Sequence, residues 1–327
     1  MTVTIYRYCH LSTAPLDRLS ENRRNPYRCR ALSWHLTPAP LEKPVRRLAA
    51  CVLSAVVFVL LGAPSSQASA PLRYVALGDS YSAASGVLPP DPTAPPECLR
   101  STSNYPHVIA AATGSALTDV TCGGADTTDY FEPQYDGVPP QLDAVAPDTE
   151  LITMTIGGND SGVFIDSLVA CGQAGLSTAG QGGPCRDRYG SSFEDTIRST
   201  TYPSLVNALQ AVRAAAPDAE VAILGYPWIM PRTGPGCFDR MPVAEGDVAY
   251  VRGIQATLND AVKRAAGATG VTYVNLNRVS EGHDACQPLG VRWIEPVLQG
   301  TNPVIVHPNA LGEQQMAAQA MKVLELG

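Results

Sequence analysis

The chain has 327 residues, 45% of them hydrophobic and 16% charged, enough apolar material for a full core and too much for a disordered chain. Its net charge of −7 is unevenly spread: residues 1–70 carry nine Lys and Arg against three Asp and Glu, whereas residues 71–327 carry fourteen against twenty-seven. An acidic body without a cationic run excludes nucleic acid as the partner, because a phosphate backbone is bound by clustered Lys and Arg.

Residues 1–44, rich in Arg and Pro, read as a leader extension that need not be translated, with Val45 as an alternative start. Residues 45–70 carry the three parts of a secretory signal peptide. These are the basic pair Arg46-Arg47, the uncharged stretch from Leu48 to Ala63, and the small-residue site Ala68-Ser69-Ala70, with cleavage expected after Ala70. The apolar stretch of sixteen residues falls short of the roughly 20 that span a bilayer, so no stable membrane span is expected after cleavage. Cys51, in Leu48-Ala49-Ala50-Cys51, precedes the apolar core instead of following it, the wrong order for a lipid-modified cysteine. Residues 71–327 are left as a single folded domain, expected to be secreted.

Within that domain, apolar runs bounded by turn residues recur at Tyr74–Leu77, Leu151–Ile156, Val221–Leu224 and Val271–Leu276. They lack polar alternation, which predicts strands buried on both faces. Leu205, Ala208, Leu209 and Val212 recur at helical spacing until Pro217 stops the run, and Val251, Ile254, Leu258, Ala261 and Val262 do the same. Ala317, Ala320, Met321 and Leu324 predict a closing helix with Asn309 as its N-cap. Strands alternating with helices predict a three-layer α/β/α sandwich around a central parallel sheet. The stretches Leu88–Cys98, Gly172–Cys185 and Pro231–Gly246, rich in Pro or Gly, are expected to be loops shaping a binding rim.

Nine cysteines divide at the predicted cleavage site. Cys9, Cys29 and Cys51 precede it, leaving Cys98, Cys122, Cys171, Cys185, Cys237 and Cys286, an even set in an exported protein. Six cysteines allow fifteen pairings, of which sequential neighbours are the simplest. A zinc site lacks its CxxC spacing, and no metal is expected.

Chemistry concentrates at the ends of the predicted strands. Gly78-Asp79-Ser80-Tyr81-Ser82 follows Tyr74–Leu77 directly, presenting a serine hydroxyl where α/β sheets place their reactive groups. A serine nucleophile needs a base. Of His107, His283 and His307, the last sits in a loop just before the closing helix and is the best placed; His283 is the runner-up, and His107 falls in a predicted helix after Tyr105-Pro106 and reads as a surface or packing residue. Acyl transfer also needs donors for the developing oxyanion, and Gly157-Gly158-Asn159-Asp160 offers the Asn159 amide while Cys122-Gly123-Gly124-Ala125 offers a glycine N–H. Trp228, Trp293 and Tyr130 are candidate apolar contacts for a substrate.

Taken in chain order, the segments that carry Ser80, Gly124, Asn159 and His307 resemble the SGNH hydrolases, also called the GDSL lipase/esterase family, and in particular its secreted actinobacterial members. The resemblance implies a flavodoxin-like catalytic domain, with Ser80 as nucleophile and His307, in His307-Pro308-Asn309-Ala310-Leu311-Gly312, as base. It implies Ser80 N–H, Gly124 N–H and Asn159 as oxyanion donors, with Gly123 standing where the family usually has serine. Secreted members often hold three disulfides. Many members place an Asp three residues before the histidine; here that residue is Val304, which cannot accept the imidazole N–H. A main-chain carbonyl near Val304 or Ile305, or a distant carboxylate such as Asp284, must orient the ring instead. The resemblance implies a carboxylic-ester hydrolase acting on lipid or small acyl esters without a cofactor; a monomer is the expectation, although no sequence feature specifies the oligomeric state. Phospholipase A, thioesterase or polysaccharide deacetylase activity are the alternatives on the same fold, and a non-catalytic binding domain is the alternative from another class. The absence of Gly-x-Ser-x-Gly argues against a nucleophile elbow.

Overall fold

The computed structural model describes residues 70–327; the leader extension and the signal-peptide features up to Ser69, Cys51 among them, lie outside the described residues. In chain order the elements are β1 (Arg73–Ala76), the one-turn α1 (Ser80–Ala83), α2 (Tyr105–Thr113), β2 (Ala116–Asp119), β3 (Leu151–Met154), α3 (Val163–Ser177), α4 (Pro184–Tyr189), α5 (Ser192–Thr196), α6 (Tyr202–Ala215), β4 (Glu220–Leu224), α7 (Val248–Thr269), β5 (Thr272–Val274) and α8 (Ala310–Leu324).

The five strands form one sheet in the order β2-β1-β3-β4-β5, and every neighbouring pair is parallel. Tyr74 pairs with Leu117 on one side and Leu151 on the other, so β1 and β3 lie at the centre. Val75, Ile152, Met154, Val221 and Ile223 are buried, as strands covered on both faces require. α2 packs against α8, and α6 against α7. Because β1 leads to β2 in one direction while β3 and β4 lead onward in the other, right-handed crossovers place these helix pairs on opposite faces. The reversal falls between β1 and β3, and the crevice beyond their carboxyl ends is the ligand position of such sheets. This is the three-layer sandwich read from the sequence, as a single domain.

β2 has no counterpart among the expected strands. Ala116-Leu117-Thr118-Asp119 is an edge strand whose residues alternate between exposed and half-buried, so it carries no apolar run to betray it. The stretch Gly172–Cys185 also differs from the expectation, since α3 continues through it to Ser177 and its last two residues, Pro184 and Cys185, open α4. Gly175 serves packing there, because a Cβ on it would stand 2.3 Å from Pro242 O and 2.8 Å from Ala244 N. The helix thus lies directly on the backbone of residues 242–244.

Asn309 caps α8 as read from the sequence, its side chain accepting from Gly312 N–H at 3.0 Å. Disulfides join Cys98 to Cys122, Cys171 to Cys185, and Cys237 to Cys286. Among the described residues no helix is long and apolar enough to cross a membrane.

Candidate active site

Three strand ends bring the motif segments together. Pairing of β1 continues past the strand itself, with Asp79 N–H donating to Thr155 O at 2.9 Å and Cys122 N–H to Gly78 O at 3.0 Å. Gly78-Asp79-Ser80 is thereby held between Cys122-Gly123-Gly124 and the segment Thr155 to Asn159. Gly78 has a φ of 119°, and a Cβ there would stand 2.3 Å from Thr155 O. Only glycine lets the two strands close at this point.

Asp79 is the N-cap of α1 and is fully enclosed. Its carboxylate accepts from Tyr81 N–H at 3.0 Å, the Thr155 hydroxyl at 2.6 Å and the Tyr226 hydroxyl at 2.6 Å. Burial raises its pKa to about 6, and these donors pull in the opposite direction. The Tyr226 hydroxyl in turn accepts Gly158 N–H at 2.9 Å, which ties the segment carrying Asn159 to the one carrying Ser80.

Ser80 occupies the first position of α1 and borders a pocket of about 220 Å³. Its Oγ lies 2.6 Å from His307 Nε2, and His307 Nδ1 lies 2.7 Å from Ile305 O. A carbonyl oxygen can only accept, so Nδ1 carries the ring proton and Nε2 turns its lone pair to the serine hydroxyl. Withdrawal from water lowers the pKa of His307 below its ordinary value, and the bond to Ile305 opposes this.

Of the sequence-derived orienters, Ile305 supplies the acceptor. Val304 borders the pocket and donates its own N–H to Asn302 Oδ1 at 2.9 Å. Asp284 is buried elsewhere, accepting Cys286 N–H at 3.0 Å and Gln287 Nε2 at 3.2 Å. His283 stacks on Trp293 with ring centroids 4.6 Å apart, and His107 bonds Asn104 Oδ1 at 2.7 Å within α2. Neither reaches Ser80.

Gly124 and Asn159 face the same pocket as Ser80. Asn159 Nδ2 spends one proton on Ala125 O at 2.9 Å and retains a second. Among the described residues, the N–H groups of Ser80 and Gly124 have no protein acceptor. Three such donors beside one serine oxygen can hold a tetrahedral oxyanion. The glycine at 123 has a local cause: a Cβ would stand 2.9 Å from Ser85 Oγ and 3.0 Å from Cys98 O.

Several residues that sequence reasoning missed hold these groups in place. Glu295 N–H donates to His307 O at 2.9 Å, and Glu295 O accepts Val306 N–H at 3.0 Å. The buried Glu295 carboxylate accepts from Arg292 at 2.8 Å, Thr301 N–H at 2.6 Å and Asn309 Nδ2 at 2.8 Å, which pins the segment around His307. Gln141 receives Gly78 N–H at 2.7 Å. Only Tyr226 left a usable signal, since it follows β4 as Ser80 follows β1. The aromatic candidates Trp228, Trp293 and Tyr130 do not border the pocket, whose apolar wall is Leu99, Phe164, Ile165 and Ile305.

A serine bonded to an imidazole, at the carboxyl end of a parallel strand and beside free donors, is the arrangement of a serine esterase. The chain belongs to the GDSL-like lipase/acylhydrolase family, whose model matches residues 76–315, and it is a carboxylic-ester hydrolase. It is 57% identical over 295 residues to Lipase 2 of Streptomyces coelicolor, covering 88% of this chain and 100% of that protein. It is also similar to solved structures. The extracellular lipase from Streptomyces rimosus has a TM-score of 0.63 and 29% identity, covering 78% of this chain and 98% of that one. Phospholipase A1 from Streptomyces albidoflavus NA297 has a TM-score of 0.64 and 31% identity, covering 78% and 99%.

Proposed function

We propose that the protein is an exported lipase that cleaves fatty-acyl esters through an acyl-enzyme on Ser80. His307 Nε2 takes the hydroxyl proton as Ser80 Oγ attacks the ester carbonyl. The oxyanion is held by the N–H groups of Ser80 and Gly124 and by Asn159 Nδ2. The imidazolium then protonates the departing alcohol, and water attacks the acyl-enzyme by the reverse proton path. Ile305 O, a neutral acceptor, fixes the tautomer of His307 but stabilises its imidazolium less than a carboxylate would.

The observation that carries the reading is the 2.6 Å contact of Ser80 Oγ with His307 Nε2 at the mouth of an apolar groove. A second cavity of about 170 Å³ shares Ile165, Val306 and Ile305 with the pocket at Ser80, and continues between α3 and Met241, Val243 and Val297. Such a trough suits the chain of a fatty-acyl group. Export is supported by the three disulfides and by the signal-peptide pattern ahead of the domain.

The test is a panel of esters of increasing acyl length. We expect kcat/KM to rise beyond acetyl, Val169→Asp in the groove to abolish that rise while sparing acetyl ester, and Ser80→Ala to eliminate turnover. A flat profile would remove the lipid assignment, and turnover by Ser80→Ala would remove the mechanism. The similarity to phospholipase A1 favours a second reading, in which the ester belongs to a phospholipid. Fatty-acid release from phosphatidylcholine vesicles set against triglyceride emulsion separates the two.

A further inference from the structure

Val306, between the ring acceptor Ile305 and the base His307, has a φ of 60°. A β-branched residue in the left-handed region is a steric outlier that persists only where its surroundings hold it. The torsion has a direct consequence for the site. Rotation about the N–Cα bond of Val306 sets the direction of the Ile305 carbonyl relative to His307, so the acceptor reaches Nδ1 because of this torsion.

Two hydrogen bonds hold the residue. Val306 N–H donates to Glu295 O at 3.0 Å, and Val306 O accepts the hydroxyl of Tyr81 at 2.6 Å. Tyr81 is the residue immediately after Ser80, in the same single turn of helix, and is buried. Its ring centroid lies 5.1 Å from that of His307, tilted by 44°, and 5.1 Å from that of Tyr226, edge-on. Burial pushes the Tyr81 hydroxyl well above its ordinary pKa, so it remains a donor.

We infer that Tyr81 is a positioning residue for the base: its hydroxyl holds the strained Val306 backbone in the one conformation that aims the Ile305 carbonyl at His307 Nδ1. The element that carries Ser80 thereby also sets the orientation of His307, a task a carboxylate at position 304 would otherwise perform. The inference rests on His307 being the base.

Tyr81→Phe keeps the ring and removes only the hydroxyl. With active serines counted by a fluorophosphonate burst, so that unfolded protein does not enter the rate, kcat should fall about tenfold while KM stays nearly unchanged. The acid limb of the pH profile should move to lower pH, because an imidazolium that loses its acceptor is less stable. Glycine reaches positive φ without steric cost, so in a Val306→Gly background the same Tyr81→Phe change should cost several-fold less. A loss equal in both backgrounds, or an unchanged kcat and acid limb, would overturn the inference. His307→Ala separates the two levels: if it retains turnover, the base assignment itself fails; if it is inactive while Tyr81→Phe is silent, only the role of Tyr81 fails.

Discussion

The hydroxyl of Tyr226 donates to the buried carboxylate of Asp79 at 2.6 Å while accepting Gly158 N–H at 2.9 Å, joining the ends of β1, β3 and β4 through one oxygen atom. Asp79 is therefore a structural carboxylate whose partners are hydroxyls and backbone, and its charge is one of the costs of the site.

Tyr226→Phe should lower stability by about 1.5–3 kcal/mol near pH 8, the usual loss for a hydrogen bond to a charged group. The deficit should depend on pH. The folded pKa of Asp79 is raised from 3.8 to about 6, so its titration favours folding below the lower value and that benefit is lost as pH rises through the upper. Removing the Tyr226 donor raises the folded pKa further, so the deficit should widen between pH 4 and pH 8. Denaturant unfolding across that range measures it, and a constant deficit would contradict the account.

Activity should decline with acid, with a kcat/KM inflection below the ordinary histidine value of 6.5, because withdrawal from water disfavours the imidazolium of His307. For the same reason His307 contributes stability above its unfolded pKa that is lost as pH falls through the depressed folded one. Histidine ring-proton resonances distinguish this titration from that of Asp79. An inflection above 6.5 would show that the ring is stabilised as a cation by a group other than Ile305 O.

The same substitution should have opposite signs in two helices. Gly253→Ala, in the second turn of α7, meets nothing within 4 Å and should stabilise by about 0.5–1 kcal/mol through helix propensity. Gly175→Ala in α3 would place a methyl 2.3 Å from Pro242 O, backbone that cannot yield like a side chain. It should destabilise despite the same propensity gain and reduce activity on long-chain esters by pushing α3 off the groove. Melting temperatures of the two variants give the comparison directly.

Disulfide removal should follow loop length. The Cys171–Cys185 pair spans 14 residues and the Cys237–Cys286 pair spans 49. Replacing each pair with alanines should cost about 3 and about 4 kcal/mol respectively, from the chain entropy restored to the unfolded state. Denaturant unfolding would show a reversed order if the shorter bridge were instead holding a strained segment.

Much of the candidate site was legible in the chain because the residues proposed to react lie in short segments with their own local chemistry. Gly78-Asp79-Ser80 follows an apolar run, Gly157-Gly158-Asn159 follows another, and His307 precedes the cap of α8. Each can be read without knowing what surrounds it. The four apolar runs likewise announced the sheet, and burial on both faces accounts for the missing polar alternation in β1, β3 and β4, whereas β5 lies at an edge and is only half-buried over Thr272 and Tyr273. β2 escaped because an edge strand needs little apolar content, and the helical part of Gly172–Cys185 escaped because Gly175 answers to the backbone of Pro242 and Ala244, far along the chain.

The sequence by itself determined which residues could do the chemistry, the class of fold that presents them and the absence of a carboxylate at position 304. What replaces that carboxylate was a tertiary decision. Ile305 O reaches His307 through the left-handed turn at Val306, held by Tyr81 from 225 positions away and by the backbone of Glu295. Asp79 is tolerated as a buried carboxylate because Thr155 and Tyr226 converge on it from other strands. Side-chain identity follows from the local sequence, whereas the direction of a carbonyl or the partner of a buried charge depends on elements that meet only when the sheet has formed.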